Sequence, residues 1–221
     1  MIELKQGDCL EILKEFPNKS VDISFTSPPY NRKRNDKYKF YDDTLTDYFG
    51  FLCGFTDELL RVTRGNVFVN IQKNYYNKED VFRYIGHYAK QIKEIVIWEK
   101  TNPMPASGKN ITNAYEFFIV LGDESLKSNK TYTKNIISTS VNSNMPKEHR
   151  AVMKQEVADW FIENFTKEND IVLDCFMGLG TTGLSCIKYG RNFVGIELNE
   201  TYFTIAKEKL ESRGVEFATA I

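Results

Sequence analysis

The chain has 221 residues, 42% of them apolar, and a formal net charge of −1, which suits one globular domain with its own core and excludes gripping a polyanion through the field of the whole molecule. No run of about eighteen apolar residues is present and the opening MIELKQGDCLEILK is charged, so neither a membrane-spanning helix nor an export leader is expected, and the expected location is the cytoplasm. Cys9, Cys53, Cys175 and Cys186 are scattered without CxxC spacing, which argues against a disulfide framework and for reduced thiols, with no metal site expected.

Glu3 to Gln6 reads as a short strand, followed by a helix that Asp8 can cap, carrying Leu10, Ile12, Leu13 and Phe16 and ended by Pro17-Asn18. A second strand, Val21 to Thr26, stops on Ser27-Pro28-Pro29-Tyr30, a serine, two stiff prolines and an exposed aromatic. Next comes NRKRNDKYKFY, residues 31 to 41, in which Arg32, Lys33, Arg34, Lys37 and Lys39 are interleaved with Tyr38, Phe40 and Tyr41. That mixture suits phosphates and unstacked bases, although a solvated loop has the same composition.

Leu45, Phe49, Leu52, Phe55, Leu59 and Leu60 recur at helical spacing, and Gly65 closes the segment before a strand at Asn66 to Val69. A helix from Lys78 to Lys90, a strand from Glu94 to Trp98, the loop TNPMPASGKN and a strand from Tyr115 to Leu121 follow. Residues 123–147 lose the periodicity and are rich in Ser, Thr, Asn and Lys, as a loop or small insertion would be. The remainder is a helix with Val157, Trp160, Phe161 and Phe165, a strand IVLDCF, a glycine turn, a helix from Thr181, a strand FVGI and a helix from about Asn199. Such alternation, without internal repeats, predicts an α/β fold over residues 1–221, with a mostly parallel twisted sheet flanked by helices.

The turn reads Gly178-x-Gly180-x-x-Gly183 between a strand and a helix, with Glu197 at the end of the following strand, nineteen residues after the first glycine. Glycines admit a nucleotide close to the backbone, and an acid at the next strand tip can accept from both ribose hydroxyls. A dinucleotide is disfavoured because the glycines lie four residues beyond Asp174 and only 38 residues follow Gly183, too few for a second mononucleotide half. A mononucleoside cofactor fits better than a merely structural turn, which would leave Asp174 and Glu197 unexplained.

With both segments in view, the chain resembles the S-adenosylmethionine-dependent amino-methyltransferases of DNA, in the permuted arrangement called the beta group. There a [DNS]-P-P-[YFW] segment comes first and D-x-F-x-G-x-G comes late, as Ser27-Pro28-Pro29-Tyr30 and Asp174-Cys175-Phe176-Met177-Gly178-Leu179-Gly180 do here. The resemblance implies a Rossmann-like methyltransferase fold, S-adenosylmethionine as cofactor and double-stranded DNA as substrate. It also implies that Asp8 in Gly7-Asp8-Cys9 faces the cofactor's adenine, that Phe176 lies against the cofactor and that Glu197 holds its ribose. The cofactor-binding candidates are Asp8, Cys9, Asp174, Phe176, Gly178, Gly180, Thr181, Thr182, Glu197 and His149. His149 belongs to EHRAVMKQE, which matches the family's H-x-A-x-x-P through Ala151 but carries Lys154 where proline is common.

An exocyclic base amine is a poor nucleophile because its lone pair is delocalised into the ring. Two acceptors around its hydrogens, the Ser27 hydroxyl and the Pro28 carbonyl, would draw the nitrogen toward tetrahedral geometry, so that its lone pair faces the sulfonium methyl. The base must be flipped out to reach them, and Tyr30 offers a stacking face. The catalytic candidates are therefore Ser27, Pro28, Pro29 and Tyr30. Methylation at carbon 5 would need a Pro-Cys nucleophile, and no cysteine follows a proline.

Serine at the first motif position goes mostly with N4-cytosine in the resembling family, so cytosine is favoured, with N6-adenine as the alternative. Arg32, Lys33, Arg34 and Lys37 are the DNA-binding candidates, with residues 123–147, the 31–41 loop and the NPMPASGKN loop as target readers. Readers this short point to a brief site or a homodimer, and a restriction endonuclease is a candidate partner. Rival readings are an RNA or protein methyltransferase and a DNA-binding regulator without catalysis.

Overall fold

The computed structural model describes residues 1–33, 43–108, 110–141, 152–214 and 217. Eight strands, β1 (Ile2–Gln6), β2 (Ile23–Thr26), β3 (Val67–Ile71), β4 (Ile92–Lys100), β5 (Tyr115–Leu121), β6 (Ile136–Thr139), β7 (Ile171–Asp174) and β8 (Asn192–Glu197), form one sheet in the order β1-β8-β7-β2-β3-β5-β4-β6. All neighbours are parallel except β5, which runs antiparallel to both β3 and β4. The expected α/β architecture with a mostly parallel sheet is the one observed.

The central strands are short and apolar on both faces because helices cover both. Alternation along β3 and β5 sorts the side chains. Val67, Val69, Ile71, Ile119 and Leu121 face one core, shared with α2 (Tyr48–Val62) and α3 (Lys78–His87), while Phe68, Phe118 and Val120 face the other, shared with α4 (Gln155–Phe165) and α6 (Glu200–Glu211). In the second core Phe161 packs on Phe25, Phe68 and Phe118 at ring-centroid distances of 5.0, 5.3 and 4.2 Å. Each ring buried in this way contributes about 1.5–3 kcal/mol.

Three local readings change. The first helix, α1 (Cys9–Leu13), ends before Phe16, whose backbone N–H instead closes a turn on Leu13. Val21 lies outside β2 and makes only an isolated bridge to Thr63. Residues 123–147, expected as loop or insertion, contribute β6 to the sheet edge, parallel to β4 in the register Ile97↔Ile136. Ile136 is half exposed and the strand rests on ladder bonds and on Thr139 Oγ1, which accepts from Trp98 Nε1 at 2.8 Å, so it needs little apolar alternation.

From β7 the chain passes through α5 (Thr181–Tyr189) to β8 on one side, and from β2 through α2 to β3 on the other. Between β7 and β2 the connections therefore diverge, leaving a crevice at the carboxyl ends of the strands where ligands of open α/β sheets bind.

Candidate active site

A cavity of about 580 Å³ occupies that crevice, within the range of ligand sites. Its walls include Asp8 and Cys9 after β1, Ser27 to Tyr30 after β2, Phe176 and Gly178 after β7, and Glu197 at the end of β8. Pairing of Ser24 with Leu173 joins two segments almost 150 positions apart, and Thr26 Oγ1 donates to Asp174 Oδ1 at 2.7 Å across that seam.

On one side of the cavity, backbone and hydroxyl groups hold the acids. Glu197 accepts from Gly178 N at 2.8 Å and Asn199 N at 2.9 Å, which fixes the carboxylate at the rim, and burial raises its pKa from the ordinary carboxylate value. Gly178 (φ +55°) and Gly180 (φ +78°) take left-handed conformations that fold the turn into the start of α5. Gly183 serves packing, since a Cβ there would come within 2.9 Å of the Phe193 ring. Asp8 caps α1, its Oδ1 accepting from Leu10 N at 2.8 Å, while also lining the cavity.

Asp174, Gly180, Thr181 and Thr182, expected to meet a cofactor, do not line the cavity. Asp174 is buried beneath the wall, accepting from Thr26 Oγ1, Thr182 Oγ1 (2.6 Å) and Phe176 N (3.1 Å). Burial pushes its pKa up to about 6 against the pull of those three donors. It shapes the segment that carries Phe176 and does not reach the cavity itself. Thr181 gives its carbonyl to Gln155 Nε2.

Across the cavity the Ser-Pro-Pro-Tyr turn is clamped by side chains from other elements. Pro29 O accepts from Tyr48 Oη, and Tyr30 O accepts from both Asn74 Nδ2 and Asn77 Nδ2, all at 2.8 Å. Tyr30 is not the exposed aromatic that the sequence suggests. Its hydroxyl sits between Ser27 Oγ, Asn70 Nδ2 and Glu116 Oε2, each at 2.9 Å, while its ring lines the cavity. Lys100 Nζ pairs with the other oxygen of Glu116.

With this geometry in place, comparison with known proteins is decisive. The family model described as DNA methylase, of N6 and N4 methyltransferases, matches residues 21–208. The chain belongs to this DNA methylase family. It is 30% identical to the type II methyltransferase M.HinfI of Haemophilus influenzae over 93% of this chain and 67% of that protein. It is also similar in fold to the PvuII DNA methyltransferase (cytosine-N4-specific), with a TM-score of 0.78 at 19% identity over 98% of this chain and 94% of that one. M1.HpyAVI in its complex with SAM superposes with a TM-score of 0.67 at 26% identity, over 95% of this chain and 100% of that one. The protein is an S-adenosylmethionine-dependent DNA amino-methyltransferase.

The cavity of this DNA methylase suits that cofactor chemically. A fixed carboxylate on a strand tip matches ribose hydroxyls, and Phe176, Phe51 and Leu198 supply apolar surface for a purine. Among the DNA-binding candidates, Arg32 donates to Gln72 Oε1 with its guanidinium 5.5 Å from the Tyr30 ring centre, and Lys33 Nζ donates to Leu45 O at 2.6 Å. Arg34, Lys37 and His149 lie outside the described residues. No helix of the described residues is long and apolar enough to cross a membrane.

Asn70, Lys100 and Glu116 were not legible as site residues. The available signals were a polar residue inside VFVNI and a lone acid opening the apolar strand EFFIVL. At such positions a buried polar group has to find a partner.

Proposed function

We propose that this DNA methylase methylates the exocyclic amine of a base flipped out of the duplex, N4 of cytosine, with Ser27 Oγ and the Pro28 carbonyl accepting the amine's hydrogens. One observation carries this reading: Ser27 and Pro28 line the same cavity as Phe176, Gly178 and Glu197, so an amine and a methyl donor have one place to meet. Bound S-adenosylmethionine supplies an electrophilic methyl on sulfur. Glu197 holds the ribose, and Phe176 and Asp8 border the nucleoside. Tyr30, tethered through its hydroxyl, keeps its ring in one orientation for stacking on the extruded base.

A carbon-5 reaction is disfavoured because neither Cys9 nor Cys175, the cysteines that line the cavity, follows a proline. Cys175 lines the cavity, but burial pushes its thiol well above the ordinary value, and a thiolate is what that reaction needs. Serine at position 27 supports cytosine over adenine, as in the resembling family. Arg32, Lys33, Arg34 and Lys37 grip phosphates, and residues 123–147 with the 31–41 and 102–110 loops read the target. A homodimer and a cognate restriction endonuclease complete the proposal. Sedimentation at working concentration tests the dimer, and a monomer bound one-to-one to its site refutes it.

The test is incubation with labelled S-adenosylmethionine and unmethylated DNA, followed by mass spectrometry of the nucleosides. N4-methylcytosine is expected. N6-methyladenine replaces the base assignment, and label on RNA alone overturns the substrate.

A further inference from the structure

Hydrogen-bond arithmetic fixes the direction of every proton around Tyr30. Its hydroxyl has one proton, two lone pairs and three neighbours. Glu116 Oε2 can only accept, so the phenolic proton points to it. The Asn70 amide N–H donates into the phenol oxygen and, at 3.0 Å, into the same Glu116 oxygen. Only one bond remains, and there Ser27 must donate to Tyr30. The Ser27 proton is thereby turned away from the amine; Asn70 Nδ2 approaches one Ser27 lone pair only at 3.5 Å, and the other is left for the cavity that Ser27 lines.

Two features show that this polarity is maintained against cost. Asn70 Oδ1 is buried without a partner among the described residues, and the amide keeps this orientation because turning it over would set that oxygen against the Glu116 carboxylate. Glu116 and Lys100 form a buried ion pair, an arrangement of little net stabilising value because desolvation offsets the attraction. Burial and the nearby Glu116 charge hold the Tyr30 pKa well above its ordinary value, so its proton stays in place.

We infer that Glu116, held by Lys100, is a positioning residue that acts through Tyr30 to make the Ser27 hydroxyl an acceptor toward the target amine. This rests on the reading that Ser27 meets the amine. In Glu116→Gln, Lys100 keeps the amide oxygen, the amide NH₂ faces Tyr30, and the phenolic proton is driven toward Ser27, where it occupies a lone pair. The direction of the chain reverses, and Asn70 gives up its bond to position 116 while keeping the one to the phenol oxygen.

The experiment measures kcat, KM for DNA and cofactor Kd for Glu116→Gln, Tyr30→Phe, the double variant and Ser27→Ala, with folding followed by circular dichroism. Glu116→Gln is expected to lower kcat about tenfold or more, with KM and cofactor Kd unchanged. In the Tyr30→Phe background, already slow, it adds no further loss, because the link to Ser27 is gone. A wild-type kcat for Glu116→Gln, or an equal loss in both backgrounds, overturns the inference. If Glu116→Gln does not fold, Tyr30→Phe decides: reduced kcat at intact cofactor affinity supports the chain, and unchanged kcat refutes it. Ser27→Ala separates the two readings, since retained turnover there sinks the underlying assignment, whereas its loss beside an active Glu116→Gln sinks only the positioning role.

Discussion

The two sides of the cavity hold buried acids in opposite ways. On the cofactor side, Asp174 and Glu197 take their acceptor bonds from hydroxyls and backbone N–H groups, mostly from residues between 2 and 19 positions away, and burial raises both pKa values. On the base side, Glu116 draws on Lys100, Asn70 and Tyr30, at separations of 16, 46 and 86 residues, and has a cation among them. A side whose task is to fix a bound nucleoside can be built from one local turn. Setting proton directions around a reacting amine requires side chains converging from several strands.

The sharpest test of this division crosses one variant from each side. Ser27→Ala is expected to lower kcat roughly 10²-fold or more while leaving cofactor Kd unchanged, because in the proposed reading the serine meets only the base. Glu197→Ala is expected to weaken cofactor binding about tenfold or more, since it removes a charged acceptor and leaves two backbone N–H groups unpaired. Isothermal titration beside single-turnover kinetics checks both, and a similar Kd loss in the two variants would merge the sides into one network.

Asp174 probes the cost of burying an acid without a cation. Its folded pKa, about 6, lies above the ordinary 3.8, so the folded state holds its proton more tightly than the unfolded chain. The resulting stabilisation is complete below about pH 4 and is lost as pH rises through 6, a change on the order of 3 kcal/mol. Asp174→Asn removes this titration. Wild-type stability minus that of the variant, from urea unfolding at several pH values, should therefore fall by that order between pH 4 and pH 7; parallel curves would show that the buried carboxylate titrates normally.

The same contrast explains what could be read in advance. Ser27-Pro28-Pro29-Tyr30 and the turn from Asp174 to Gly180 are contiguous, so their chemistry shows in the order of residues. The alternation of strands and helices is likewise written in local periodicity. Asn70, Lys100 and Glu116 each look like an ordinary polar residue in a strand, and only the antiparallel entry of β5 between β3 and β4 brings Glu116, with Lys100, beside Asn70 and Tyr30. β6 was hidden for a related reason: this edge strand has only Ile137 and Thr139 turned inward, too short an alternation to mark it. Asp174 was visible, but the sequence could not say whether it faced the cavity or the core beneath it.

Asp8 is the smallest and most discriminating case, because it belongs to the cofactor side and is also a helix cap. Asp8→Ala should cost about 1 kcal/mol of stability through the lost bond to Leu10 N. Asn is an equally good cap, so Asp8→Asn should restore the melting temperature. It does not restore the cavity surface: with its oxygen committed to Leu10, the asparagine presents an NH₂ where the aspartate had a second acceptor, and in the proposed reading, where Asp8 faces the adenine, the adenine amine finds a donor opposite it. Cofactor affinity should stay reduced in Asp8→Asn while its thermal melting returns to that of the wild type. Affinity that recovers together with melting would mean that Asp8 serves the cofactor only by holding α1 in place.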